Sequence, residues 1–424
     1  MSGATLTLTD FEGLREPIAA LYGPKAVPAQ ESRYQHLLAG LEESFGPWEK
    51  AAVFSAPGRT EIGGNHTDHQ HGRVLAASIN LDAIAAVSLN GENVIRVQSE
   101  GYPPVVVELD SLDVRESERN TSAAIIRGIA AWFRRQGADL AGFNAYVMSS
   151  VLGGSGLSSS AAFEILFGKI MNDLFFDGRC SAIQLAQVGQ YAENVYFGKP
   201  SGLLDQMGCS VGGMVTIDFQ DNANPVVERV DFDFAATGYA LCIIDSGADH
   251  ADLTGEYAAV PGELKEICAH FGKSVLREVP EEEFLAALPV LRRKAGDRAV
   301  LRAMHIYDDN RHVAAQVEAL RRGDFDAFLK LITASGLSSW RQLQNVVPAG
   351  YTHHQEVAVA LSLCERSLGG RGACRVHGGG FAGTIQAFVP LDMLDTFKVE
   401  MERYLGDGAC HVLTIRPVGG VRLA

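Results

Sequence analysis

The chain has 424 residues, more than one typical domain holds, so two or three folding units are expected. Its 47% apolar content allows sizeable buried cores, and its formal net charge of −15 argues against a general nucleic-acid or anionic-membrane binder. The seven cysteines are scattered, odd in number and free of any C-x-x-C, which argues against a disulfide framework or a zinc ribbon and fits a reducing compartment.

In chain order, residues 1–48 read as helices and loops, with helical apolar spacing at 18–22 and 34–41. The first residues lack a basic stretch followed by an apolar one, and no apolar run reaches the ~18 residues of a membrane span, so a cytoplasmic protein is expected. An apolar strand at 51–56 runs into PGRTEIGGNHTDHQHG, a loop rich in Gly, His and Asp. Residues 74–89 read as one or two buried strands, and 94–98 with 105–109 as hairpin strands. A helix follows at 122–136, with Arg134 and Arg135 suited to its C-terminal dipole. Strand 143–148, a Gly/Ser loop, and helices at 161–175 and 183–196 come next. The loop GKPSGLLDQMG then leads to a strand pair at 213–219. A polar turn at 221–225 places a domain change near 235, giving units 1–234 and 235–424. In the second unit a strand at 239–244 precedes helices at 262–271, 281–287, 297–305, 309–321, 325–335 and 354–367. A strand–glycine–strand segment at 371–390 and a last strand at 411–416 complete an α+β pattern.

The most informative stretch is 151–164, VLGGSGLSSSAAFE, with three glycines and four serines between a strand and a helix start. Glycines let the backbone approach a ligand, and a helix N-terminus presents unpaired N–H groups, so the layout suits a phosphate. It is not a Walker loop, which needs Gly-Lys-Ser/Thr, nor a dinucleotide fingerprint, because Ser159 stands where the last glycine belongs. With so acidic a chain, a phosphate must be gripped by local cations, amides or a metal. Three Gly-rich loops, each flanked by strands, point jointly to a site for a polyphosphate and a polar small molecule.

The three loops together resemble the signatures of the GHMP kinases, and within them the galactokinase family. That family's first motif runs Gly-Arg-Val-Asn-Leu-Ile-Gly-Glu-His-Thr-Asp, against GRTEIGGNHTD here, Gly58 to Asp68. Its second, Pro-x-Gly-x-Gly-Leu-Ser-Ser-Ser-Ala, is matched by VLGGSGLSSSA, and its third, Gly-Gly-Gly-Phe-Gly-Gly, by GGGFAG, Gly378 to Gly383. Ala-Glu-Asn recurs as Ala192–Asn194 and Gly-x-x-Asp-Gln as Gly202–Gln206, so the resemblance spans roughly 45 to 390.

The resemblance implies a two-domain α+β fold, a ribosomal-protein-S5-like N-terminal domain and a ferredoxin-like C-terminal one, with the site between them. It implies ATP-dependent phosphorylation of the anomeric hydroxyl of galactose, giving galactose 1-phosphate and ADP. Asp205 is then the catalytic base and Arg59 its partner; Gly153, Gly154, Ser155, Gly156, Leu157, Ser158, Ser159 and Ser160 bind ATP. Ser160 and Glu193 are the implied Mg²⁺ ligands, suited to a cation that takes hard oxygens. Asn65, His66, Asp68 and Tyr257 are the implied sugar contacts.

Four positions depart from the family pattern. Asn65 replaces a Glu that holds a sugar hydroxyl, so another sugar (arabinose, N-acetylgalactosamine or a uronic acid) is an alternative substrate. Val151, Ala382 and Ser122 replace a proline, a glycine and a tryptophan and bear on ATP fit. A non-catalytic sugar sensor is the alternative from another class, against which the intact Ser158–Ala162 run and Asp205 count. The three histidines and one aspartate of HTDHQH form a competing metal reading for the first loop. The expected partners are the sugar and ATP alone, without nucleic acid or membrane, and the expected state is a monomer.

Overall fold

A computed structural model describes the chain except for residues 1–6, 24, 152, 154–155 and 249–252. Helices α1 (Arg15–Tyr22) and α2 (Val27–Phe45) come first. Ile18, Tyr34, Leu37 and Leu41 form their apolar stripe and cluster with Val53, Ile84 and Ala86. Those last three lie on β1 (Ala52–Gly63) and β2 (Arg73–Leu89), which pair antiparallel. Alternate residues of β1 (Ala52, Phe54 and Ala56) point into the main core, so β1 is covered on both faces and reads as a continuous apolar run.

The chain continues through β3 (Val94–Ser99), β4 (Val105–Glu108), α3 (Ser122–Arg135) and β5 (Phe143–Ser149). Thr121 caps α3 by accepting from the Ala124 amide, and the two arginines close its last turn. Next come α4 (Ser159–Phe175), α5 (Ala182–Tyr191), α6 (Leu204–Val211), β6 (Met214–Asp218) and β7 (Val226–Val230). A π-helical segment, Ala192–Phe197, follows α5 where one continuous helix is expected from the sequence.

The second half opens with β8 (Tyr239–Ala248), then α7 (Thr254–His270), α8 (Glu281–Lys294), α9 (Asp297–Arg321), α10 (Phe325–Ser338) and α11 (Glu356–Leu368). It ends with β9 (Ala373–Val376), β10 (Gly383–Pro390), α12 (Leu394–Leu405), β11 (Cys410–Leu413) and β12 (Val421–Arg422). The polar run around Asp309 reads as a break between two helices, but α9 passes straight through it. Asp309 is fully buried and its carboxylate accepts the Asn65 amide, so tertiary contacts replace the water this residue would otherwise need.

Two sheets result. The larger has the order β12-β1-β2-β5-β3-β4, with β6 and β7 branching from the other end of the long strand β2. The smaller is antiparallel throughout, in the order β11-β8-β10-β9. With α11 ahead of β9 and α12 between β10 and β11, this is a βαββαβ, ferredoxin-like arrangement. Cys242 and Ile244 of β8 face the helical layer with Leu361 and Phe397, while Leu241 and Ile243 join the core shared with the larger sheet. All seven cysteines are buried free thiols. Among the described residues, no helix is long and apolar enough to cross a membrane. The loop after β1, the loop between β5 and α4 and the loop between β9 and β10 come together where the two sheets meet.

Candidate active site

Asp205 enters on the first turn of α6. Its Oδ1 accepts from Arg59 Nε at 2.9 Å and from Arg59 Nη2, and its Oδ2 accepts from Ser158 Oγ at 2.6 Å. Arg59 Nη1 donates to the Gly156 carbonyl, so one guanidinium joins β1, α6 and the Ser/Gly loop. Glycine makes this approach possible: a Cβ at Gly208 would lie 2.8 Å from Arg59 Cβ, and one at Gly58 would lie 2.7 Å from the Leu157 carbonyl. Crowding by protein around Asp205 would raise its pKa, but Arg59 and Ser158 outweigh this and hold it below the ordinary carboxylate value. Burial would in turn lower Arg59, and Asp205 raises it instead. The Asp205 side chain stays 39% exposed, against 8% for Arg59, so a substrate can reach the carboxylate and not the guanidinium.

Ser158 has a left-handed backbone, φ 59°, which is strained for a serine. It precedes α4 without capping it, because its hydroxyl is spent on Asp205. Gly153 and Gly156 are exposed, Leu157 is buried, and Ser159 and Ser160 begin α4 with Ser160 exposed. Gly154 and Ser155 lie outside the described residues. An uncapped helix start behind an exposed glycine loop is an anion cradle.

One turn below Ser160 on α4 is Glu164, fully buried. Gln206 Nε2 donates both to Glu164 Oε2 at 2.9 Å and to Glu193 Oε2 at 3.0 Å, bridging the two carboxylates. Lys199 Nζ donates to Glu193 Oε1 at 3.1 Å. Burial, then the Glu193 charge, push the Glu164 pKa well above the usual carboxylate range. Its Oε1 has no partner among the described residues.

The sugar loop departs more from expectation. Asn65 is fully buried: Nδ2 donates to Glu61 Oε1 at 3.0 Å and to the Gly378 carbonyl at 2.5 Å, and Oδ1 accepts from Asn345 Nδ2 at 2.7 Å. The structure therefore turns Asn65 into the protein and not toward an open surface. His66 Nε2 donates to the Gly379 carbonyl at 3.0 Å, which assigns the proton to Nε2 and leaves Nδ1 as an acceptor. Burial, reinforced by His69, lowers its pKa to about 4, so it is neutral near pH 7. Tyr257, on the first turn of α7, donates to the Gly380 carbonyl at 2.8 Å. Asp68 lines a cavity of about 270 Å³ with His69, Ser201 and Gly202, and a Cβ at Gly202 would lie 2.8 Å from its Oδ2. Gly202 leads into α6, the helix that carries Asp205. Among the described residues no three His, Cys, Asp or Glu side chains gather as a metal-holding group, so the metal reading of 66–71 gains no support.

Comparison with known proteins follows the same map. Residues 41–89 match the galactokinase galactose-binding signature and residues 124–213 the GHMP kinases N terminal domain. A galactokinase of Streptomyces coelicolor is 30% identical, covering 84% of this chain and 88% of that protein. One from Actinobacillus pleuropneumoniae is 31% identical, covering 83% and 88%. The chain belongs to the galactokinase family. The crystal structure of Lactococcus lactis galactokinase complexed with galactose superposes with a TM-score of 0.76 at 25% identity, covering 92% of this chain and 99% of that one. A mevalonate kinase structure, at 13% identity and a TM-score of 0.63, shares the fold.

Seen as a galactokinase-family site, the arrangement also contains residues that sequence reasoning missed. Glu164 interrupts the apolar run AAFEILF four residues after Ser160, a spacing that puts both on one helix face. Gln206 and Lys199 sat inside recognised motifs without a role. Arg375, fully buried and bonded to Glu61 at 2.8 Å, had no local signal, because its partner is 314 residues away in sequence.

Proposed function

We propose that this galactokinase-family chain transfers the γ-phosphoryl group of ATP to the anomeric hydroxyl of galactose. The observation that carries the reading is Asp205, ionised, partly open, and fixed between Arg59 and Ser158 beside the uncapped start of α4. The C1 hydroxyl gives its proton to Asp205 as its oxygen bonds to the γ-phosphorus, and the bond from that phosphorus to the bridging oxygen breaks to release ADP. Arg59 keeps Asp205 charged until the proton arrives and then faces the neutral acid across the same hydrogen bonds. The triphosphate lies along Gly153–Ser160, gripped by the α4 amides. Asp68 and the His66 Nδ1 take the sugar hydroxyls, and Tyr257 orders the third glycine loop behind them.

Magnesium fits this donor set. Ser160 offers an exposed hydroxyl and Glu193 a carboxylate, both hard oxygens, and Glu164 adds a buried oxygen without a partner among the described residues. Bound there, Mg²⁺ would supply positive charge to the phosphates.

The domain units 1–234 and 235–424 put the base, the ATP loop and the sugar loop on the first and the third glycine loop on the second. The test is ADP release from Mg–ATP with galactose, N-acetylgalactosamine, arabinose, glucose and galacturonate. Turnover chiefly with galactose is expected; preference for another sugar would keep the chemistry and reassign the substrate. Sugar and ATP binding without turnover would replace the kinase reading with a sensor.

A further inference from the structure

Glu61 and Asn65 stand in the reverse of the family motif. The motif carries Asn and then, four residues on, Glu; this chain carries Glu and then Asn. The two side chains touch, Asn65 Nδ2 donating to Glu61 Oε1 at 3.0 Å. The same oxygen accepts from Arg375 Nη2 at 2.8 Å, and Arg375 also donates to the Ile62 carbonyl at 2.8 Å and the Val376 carbonyl at 3.1 Å. All three residues are nearly or fully buried.

The Asn65 amide is fully used. Its two N–H bonds go to Glu61 and Gly378, and its oxygen accepts from Asn345 at 2.7 Å and Ser339 at 3.4 Å. Its backbone is held as firmly, the amide donating to Asp309 at 2.8 Å and the carbonyl accepting from His305 at 2.9 Å. With Glu61 in place, a carboxylate at 65 would lose the donation between the two side chains and set a second negative charge beside the first in a buried site, whereas an amide at 61 would restore that donation in the reverse direction.

We infer that Glu61 and Asn65 are an exchanged pair which, anchored by Arg375, positions the sugar loop, and that residue 65 is not itself a sugar ligand in this chain. The unit is one carboxylate and one amide in contact, and either order serves provided both are present. His66 follows directly and bonds the neighbouring carbonyl of Gly379, so displacement of Asn65 moves a proposed sugar contact. These are positioning residues, and their role rests on the kinase reading above.

The experiment compares E61N, N65E and the E61N/N65E double variant with the parent, in kinetics for galactose and for ATP and in thermal melting. Each single change is expected to raise the galactose KM about tenfold or more, with the ATP KM within about twofold. The double variant is expected to return to within about threefold of the parent. Losses that multiply in the double variant, or single changes that disturb ATP and galactose alike, overturn the pairing. If N65E does not fold, a folded and active double variant still supports it, and an unfolded or inactive one overturns it. If the parent does not phosphorylate galactose, the functional reading fails by itself; a double variant melting above both singles then supports the pair, and one melting below them overturns it.

Discussion

Two ion pairs start two residues apart on β1 and have opposite designs. Arg59 reaches a carboxylate whose side chain is 39% exposed, whereas Glu61 meets Arg375 where the two side chains are 7% and 0% exposed. Both arginines also bond backbone carbonyls, Gly156 for Arg59 and Ile62 with Val376 for Arg375. The difference is what can reach the acid. A proton can arrive at Asp205 from a substrate and leave again to water, while at Glu61 protonation would strand a buried guanidinium. One pair is therefore suited to chemistry and the other to holding a loop in register.

The sharpest way to break the comparison is D205N. Asn keeps acceptor contact with Arg59 but has no basicity, so kcat should fall about 10²–10⁴-fold, the usual worth of a positioned general base. The galactose KM should change little, and the fold should persist because the hydrogen-bonded geometry survives. Turnover within tenfold of the parent would remove Asp205 from the base role and leave the open pair with no function that the closed one lacks.

Removing the cation tests the same contrast through pH. In R59M, protein crowding at Asp205 is no longer offset by Arg59, so its pKa moves up. The acid limb of kcat/KM should shift to higher pH, from below the ordinary aspartate value of about 4 in the parent. The stability sign follows: a lowered folded pKa means stabilisation present above about pH 4 and lost as pH falls further, so the parent should show this loss and R59M should not. An acid limb that stays in place would separate Arg59 from Asp205.

How much of this was visible in the sequence depends on distance along the chain. Arg59, Asp205 and the Ser/Gly loop lie in ordered motifs and were legible as a set, and so was the α+β class. The direction in which Asn65 faces was not legible, since its partners Asn345 and Gly378 come from the far half of the chain. The unbroken α9 was hidden for the same reason: Asp309 looks like a helix breaker until the Asn65 amide is placed against it. Strand β12, only two residues long, carries no pattern of its own and is defined by its pairing with Phe54 and Ser55.

His66 gives a smaller effect on the closed side. Its pKa is lowered to about 4, so stability is complete above the ordinary histidine value of about 6.5 and declines as pH falls from there toward 4. Denaturant unfolding of the parent between pH 7 and pH 4 should show that slope, and H66N should flatten it. Equal slopes in both proteins would mean that burial does not hold His66 neutral.

The smallest expected effect is at Lys199, on the open side. Its side chain is 61% exposed and its partner is Glu193, so the pair adds little to stability in water. K199A should melt within a degree or two of the parent. Lys199 nevertheless lies close enough to Asp205 to help lower its pKa, after burial, Arg59 and Ser158 have acted. A kcat loss of about three- to tenfold without a melting shift would place Lys199 with the chemistry. Unchanged kinetics would make it a solvated neighbour, and the open pair would then depend on Arg59 alone for positive charge.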